Sequence, residues 1–365
     1  MRSAATFRRP KILTLLCVTP LAYACDRTPE VKPIATLPAP PAKAQLPGVA
    51  ASAGASQSFR LPAKARLVAI GDIHGDLTAL RGALRLAGAI DSDDRWIGKD
   101  LTVVQTGDQV DRGDQDREVL DVIEKLEAEA KAAGSELIVL NGNHELMNAR
   151  FDFRYVSKRS FQSFGEFALR GGAESARLPD DERGRAAAFA PGGPYALKLS
   201  RHLTVAVVGD SLFAHGGVEP AHVDYGLDRI NREASAFLAG KRPDLPSVLT
   251  AEDAPIWTRL YGSPEINDAT CQILGRVLEQ VGAKRLIVGH TVQKDGIQSA
   301  CQERLFRIDV GLSAFYGDNP PQVLQVTAGG ARVLRPGGAA AGAPAPSGWS
   351  TNKSKAADSA LHSSP

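Results

Sequence analysis

The stretch RLVAIGDIHGDLTALRGALRL, residues 66–86, decides the fold. Its first six residues form a short apolar run closed by glycine, which reads as a buried strand. From Leu77 onward the apolar positions recur at helical spacing. Between strand and helix, GDIHGD (71–76) sets carboxylates and an imidazole at the strand's carboxyl end. The same device returns twice. LTVVQTG (101–107) runs into GDQVDRGD (107–114) and then a helix over 116–133 that closes at Gly134, and ELIVL (136–140) runs into GNHE (142–145). Strands alternating with helices predict βαβ units and a mainly parallel sheet. Ligands of such sheets gather outside the carboxyl ends of the strands, so the three polar loops should meet at one crevice.

Downstream, strand character returns at 203–208, 211–215, 285–290, 304–309, 322–327 and 331–336. The short turns between the segments near 203 and 211, and between those beyond 304, predict antiparallel meanders. The resulting class is α/β: a two-sheet β-sandwich flanked by helices. Residues 150–190 are expected to be helices and loops inserted over the crevice as a lid or substrate wall.

The chain has 365 residues, with 43 Lys and Arg against 41 Asp and Glu. A formal charge of +2 lacks the basic footprint of a nucleic-acid binder, so no nucleic-acid partner is expected. No run approaches the roughly 18 apolar residues of a membrane-spanning helix. Residues 1–25 carry Arg2, Arg8, Arg9 and Lys11, then an apolar stretch, then Ala22-Tyr23-Ala24, the order of a secretory signal. Export to the periplasm is expected, or lipid anchoring to the cell envelope through Cys25. Residues 26–65 are a Pro/Ala-rich disordered spacer and 336–365 a disordered tail by the same composition argument, leaving 66–335 as the folded domain. Cys271 and Cys301 then remain as a pair in an oxidising compartment, either bridged or two buried thiols.

Asp72 and His74, two apart in one loop, can turn a carboxylate and an imidazole toward one divalent ion. Asp108 at the next strand end can bridge two cations with its two oxygens. Two cations about 3.5–4 Å apart are a clamp for in-line displacement at phosphorus. Asn143, His215 in HGG (215–217) and His290 in GHT (289–291) complete the set with neutral ligands. Each string alone has a plainer reading, a tight turn or a core histidine. Five in this order are hard to obtain by chance.

With GDxHG, GDxxDRG, GNHE and HGG in place, the chain resembles the calcineurin-like metallophosphoesterases over roughly 66–330, specifically the phosphoprotein phosphatase branch and its bacterial Shewanella-like and phage-type members. IWTR (256–259) is similar to a phosphate-binding arginine motif of those members, and DVGLS (309–313) to their C-terminal signature. The eukaryotic branch usually carries Arg before GNHE, where this chain has Leu140-Asn141. The resemblance implies a β-sandwich with two divalent ions, usually manganese with iron or zinc as alternatives, hydrolysing phosphomonoesters. A metal-bridging hydroxide attacks phosphorus without a phosphoenzyme. Arg112 is expected to hold phosphate bidentately with Arg259 opposite, and His144 to protonate the leaving group with Asp111 orienting it. The phosphate arginine's plainer alternative is a salt bridge to Asp114 or Asp116. Glu145 is expected to orient structure, Tyr316 to pack or to lean over the site, and His202, His222 and Tyr225 to be ordinary residues.

The expected substrate is a phosphoserine, phosphothreonine or phosphotyrosine protein, or a small phosphoester. Two rival readings are a nucleotide hydrolase resembling symmetrical diadenosine tetraphosphatases and a non-catalytic envelope module that binds phospho-ligands. The sequence leaves oligomeric state open.

Overall fold

A computed structural model describes residues 58–327 and 330–337. The expected signal segment, most of the spacer and nearly all of the tail lie outside these residues. Strands follow in the order β1 (Arg60–Leu61), β2 (Arg66–Ile70), β3 (Leu101–Gln105), β4 (Glu136–Val139), β5 (Val205–Val208), β6 (Ser211–Ala214), β7 (Arg285–Val288), β8 (Gln298–Ala300), β9 (Leu305–Arg307), β10 (Val323–Thr327) and β11 (Gly330–Leu334). One sheet runs β11-β10-β2-β3-β4 and the other β1-β5-β6-β7-β9-β8. Within the stretch expected as spacer, β1 pairs in parallel with β5, so residues 60–61 belong to the folded body.

The three strands first read from sequence pair in parallel, with Ile70 opposite Gln105 and Gln105 opposite Val139. Their carboxyl ends are therefore level, and the loops after them open on one edge. The helix Leu77–Leu86 starts at Asp76, whose carboxylate accepts from Ala79 N at 2.9 Å, and buries Leu77, Leu80, Ala83 and Leu84. The helix Asp116–Ala132 buries Val119, Leu120, Ile123, Leu126 and Ala130. Apolar residues of both sheets, Val68 and Val103 from one, Phe213 and Ile287 from the other, join one core cluster. Two packed sheets flanked by helices is the architecture expected.

Both sheets are mixed: β2, β3 and β4 run parallel as expected with β10 antiparallel to β2, while β6 runs parallel to β7 and β5 antiparallel to β6. The hairpins β5–β6 and β10–β11 form as expected, but β9 does not pair with β10. It lies in the other sheet, parallel to β7 and antiparallel to β8. The turn pattern marks where a chain leaves a strand; which sheet it enters next is a tertiary choice. That crossing carries residues 308–322 from one sheet to the other.

Residues 150–190 pack into the second hydrophobic cluster, which they share with Val205 and Leu212 of β5 and β6 and with Leu286 of β7. Phe164, Phe167, Phe189 and the following Tyr195 form a ring cluster with centroids 5.0–6.4 Å apart, all buried.

Cys271 and Cys301 are bridged, with Cα atoms 5.3 Å apart, and tie the helix Asp268–Val281 to the turn between β8 and β9. Closing a loop across a separation of 30 residues stabilises by about 3–4 kcal/mol in the chain-entropy account. Thermal melts with and without reductant should differ by roughly 10 °C. Coincident melts would show that the bridge contributes nothing.

Candidate active site

Asp108 is the hub. Its Oδ2 lies 3.1 Å from His215 Nε2, 3.7 Å from His74 Nε2 and 3.8 Å from His144 Nε2. Two groups of potential metal-binding atoms share it: His74, Asp108 and His144, and Asp108, His215 and His290, the atoms in each lying within 4.8 Å of one another. Asn143 Oδ1 is 2.9 Å from His215 Nε2, which is 3.1 Å from His290 Nδ1. Asp72 sits at the margin, its carboxylate accepting from His290 N at 3.1 Å with Oδ1 3.9 Å from His215 Nδ1. All six residues expected as metal ligands are thus brought together from five loops.

The histidine nitrogens test whether the set suits divalent ions. His74 Nδ1 meets Val110 O at 3.1 Å, His215 Nδ1 meets Thr106 O at 3.0 Å, and His290 Nε2 meets Trp257 O at 3.1 Å. A carbonyl accepts only from a protonated nitrogen, so each ring's other nitrogen carries the lone pair that a metal needs. Burial pushes His74 down to about 3 and His290 well below the usual imidazole range, keeping both neutral. Asp309, fully buried, has one carboxylate oxygen on Gly311 N at 2.9 Å and the other without a partner among the described residues. Burial pushes it up to about 6. The residues present fit two divalent cations sharing Asp108.

The backbone bends hard to deliver these groups. His74, Asp108, Asp111, Arg112 and His290 all have φ between 48° and 71°, a region side chains other than glycine avoid. Glycine is required where carboxylates press on backbone. A Cβ on Gly142 would sit 2.2 Å from Asp108 Oδ1, and one on Gly289 2.3 Å from Asp72 Oδ1. Glu145 holds the Asp108 loop as expected, accepting from the backbone N–H of Gly142, Asp108 and Gln109 at 2.6–2.9 Å.

His144 is anchored differently from the other three. Its Nδ1 meets a carboxylate, Asp111 Oδ2, at 2.7 Å. Burial opposes a charge on this ring, but Asp108 and Asp111 outweigh it and hold its affinity for a proton above the usual imidazole value. Arg112 has no carboxylate partner among the described residues. Asp114 accepts from Ser157, and Asp116 from Ser160 and Arg185. The Arg112 guanidinium lies 5.1–5.4 Å from the ring centroids of Tyr155, Phe315 and Tyr316. Tyr316 therefore lines the site rather than only packing, its ring 5.7 Å from that of His74. Arg259 is exposed beside His290, donating to Thr291 Oγ1 at 3.1 Å.

The model of the calcineurin-like phosphoesterases matches residues 65–294. The chain belongs to this family. It is 39% identical over 292 residues to Shewanella-like protein phosphatase 2 of Arabidopsis thaliana, covering 72% of this chain and 75% of that one. It is 30% identical over 271 residues to Shewanella-like protein phosphatase 1 of Plasmodium berghei, covering 72% and 71%. Among solved structures, the cold-active protein-tyrosine phosphatase of a psychrophilic Shewanella species superposes with a TM-score of 0.61 at 25% identity, over 76% of this chain and 82% of that one. The chain is a metal-dependent phosphatase, and the loops described above are where the phosphoesterase would hold its metal ions.

Two buried groups of this phosphoesterase had no role read from sequence. Asp309 opens the DVGLS string, but a single Asp between apolar residues carries no ligand spacing. Arg185, in the helix Arg183–Phe189, is fully buried although its surroundings in sequence, DDERGRAAAF, read as solvated charge.

The metal-free phosphoesterase concentrates like charge. Burial pushes Asp72 well above the carboxylate range, helped by Asp309 and Asp108, and pushes Glu145 up to about 7, again helped by Asp108. Cations relieve this crowding only in the folded state. Adding manganese at about a hundredfold excess over its dissociation constant should stabilise the metal-free protein by about 2.7 kcal/mol, several degrees in a thermal melt. An unmoved melt on titration would count against a built metal site.

Proposed function

We propose that the chain hydrolyses phosphomonoesters of proteins, with phosphotyrosine the preferred substrate, using two divalent cations held by Asp72, His74, Asp108, Asn143, His215 and His290. The observation that carries this reading is the division of labour among buried groups. Three histidines lean on carbonyls and offer lone pairs, one leans on Asp111, and Arg112 has no carboxylate partner among the described residues. Bound there, divalent cations supply an acidified water nucleophile and draw charge from the phosphoryl oxygens. The imidazole, carboxylate and amide donors suit manganese, iron or zinc; manganese is the ion we propose.

Arg112 offers a planar fork to two phosphate oxygens, with the three rings holding its plane. Arg259 approaches from the His290 side. As the bond from phosphorus to the leaving oxygen breaks, that oxygen keeps the electron pair and takes a proton from His144 Nε2, while Asp111 holds Nδ1. Tyr155 and Phe315, both exposed, offer flat apolar surface beside the phosphate arginine, which supports an aryl over an alkyl leaving group. The name of the Shewanella relative points the same way.

The test is a panel of phosphotyrosine peptide, phosphoserine peptide, p-nitrophenyl phosphate and a dinucleoside tetraphosphate, with metal-free and manganese-loaded protein. Manganese-dependent phosphate release, fastest from phosphotyrosine, is the expected result. Turnover of the dinucleotide alone would favour the nucleotide hydrolase, and binding without release the envelope module. Export by residues 1–25 is part of the proposal, supported by a disulfide that suits an oxidising compartment. Cell fractionation that finds intact precursor in the cytosol would reject it.

A further inference from the structure

We infer that Arg185 is a positioning residue for the proton-donating pair, reaching Asp111 from the inserted segment 150–190. The inference rests on the reading of His144 as the proton donor. Arg185 is fully buried, its guanidinium 5.2 Å and 4.8 Å from the ring centroids of Phe164 and Phe189. Every arm of the fork has an acceptor. Nε donates to Asn148 Oδ1 at 2.7 Å, Nη1 to Ser160 Oγ at 2.8 Å, and Nη2 lies 2.9 Å from Asp111 Oδ1 and 2.7 Å from Asp116 Oδ2.

Asp111 is thereby divided. Its Oδ2 faces His144 Nδ1, while Oδ1 is held by Arg185 and by Asn148 Nδ2 at 2.9 Å. A carboxylate held only at Oδ2 could rotate about its side-chain bonds and release the imidazole. Anchored at both oxygens it fixes one nitrogen of His144 as the protonated one and aims Nε2 at the site, the arrangement that lets an imidazole pass a proton in a set direction. Asn148 has the same double attachment, to Asp111 and to Arg185. Arg185 also meets Asp116, whose Oδ1 accepts from the Asp111 backbone N–H at 3.0 Å, so the left-handed turn at Asp111 hangs on the same group. A structural strut needs none of this convergence on one catalytic carboxylate. The inserted segment thus reaches the chemistry from behind, as well as contributing Tyr155 beside the substrate.

The test uses the manganese-loaded full chain with Arg185→Lys and Arg185→Met, compared with His144→Asn, on two esters that differ in their need for a proton. Phenyl phosphate expels a phenolate whose conjugate acid has a pKa near that of tyrosine, about 10. 2,4-Dinitrophenyl phosphate expels an anion stable without protonation. Both Arg185 variants should lower kcat on phenyl phosphate by about 10–100-fold, the usual loss when a group supporting a site residue is removed. On the dinitrophenyl ester kcat should fall less than about threefold, with KM and metal content unchanged. Arg185→Met leaves two buried carboxylates without their cation and is the variant at risk of not folding. Arg185→Lys keeps the charge but cannot span all four acceptors, and decides the matter alone if needed. Equal losses on both esters, no loss on either, or failure of both variants to fold would each reduce Arg185 to a structural residue. If His144→Asn itself shows no difference between the esters, the proton-donor reading falls. If it does and the Arg185 variants do not, only the present inference falls.

Discussion

Asp108→Asn should abolish nearly all activity and reduce bound metal from two ions to at most one. Asp108 is the residue common to both groups of potential metal-binding side chains, its Oδ2 lies 3.1–3.8 Å from His74, His144 and His215, and an amide nitrogen in that place cannot accept a cation. The other oxygen, which accepts from His144 N at 3.1 Å, survives the substitution, so the local turn is retained. Losing about 4 kcal/mol of transition-state stabilisation corresponds to about three orders of magnitude in kcat/KM. Elemental analysis, turnover and circular dichroism on the same preparation check this together. Two tightly bound ions, or more than a tenth of the activity, in a folded Asp108→Asn protein would remove the di-metal reading.

His144→Asn should lower kcat by about two to four decades while leaving metal content intact. The contrast with Asp108 comes from the anchoring. His144 Nδ1 is held by a carboxylate, while the ring nitrogens of His74, His215 and His290 rest on carbonyls. The pH profile carries the sign. A proton donor must be charged to act, and Asp108 and Asp111 raise the proton affinity of His144 against the effect of burial. The rate should therefore hold through neutral pH and fall as pH rises past this raised value, above the ordinary 6.5. Asp111→Asn should move that basic limb to lower pH, and His144→Asn should abolish it. Metal loss in His144→Asn would instead make this residue a ligand, as its place beside His74 and Asp108 permits.

Much of the site was legible because its chemistry is written at strand ends. Asp72 and His74 follow β2, Asp108, Asp111 and Arg112 follow β3, and Asn143 and His144 follow β4. Parallel pairing in register brings those ends level without further information. His215 and His290 follow β6 and β7, which pair in parallel in the other sheet, so the same rule serves twice. Arg185 and Asp309 obey no such rule. One lies mid-helix in a charged stretch, and the other at the start of a crossing between sheets that the turn pattern misassigned.

The amino-acid sequence by itself determined the strand–loop–helix periods and the ligand-bearing turns, since these depend on residues close together in the chain, whereas the approach of Asp72 to Gly289 and of Asp108 to Gly142 is tertiary. Tertiary structure alone decided which sheet β9 and β10 join, that Cys271 meets Cys301, and that Arg185, not Arg112, pairs with Asp116. Those outcomes turn on how groups far apart in the chain find partners, as Asp111 and Arg185 do across 74 residues, and on how two sheets share one apolar core. Burial selects such pairings only once the whole chain is packed, because an unpaired charge is costly inside the fold and nearly free outside it.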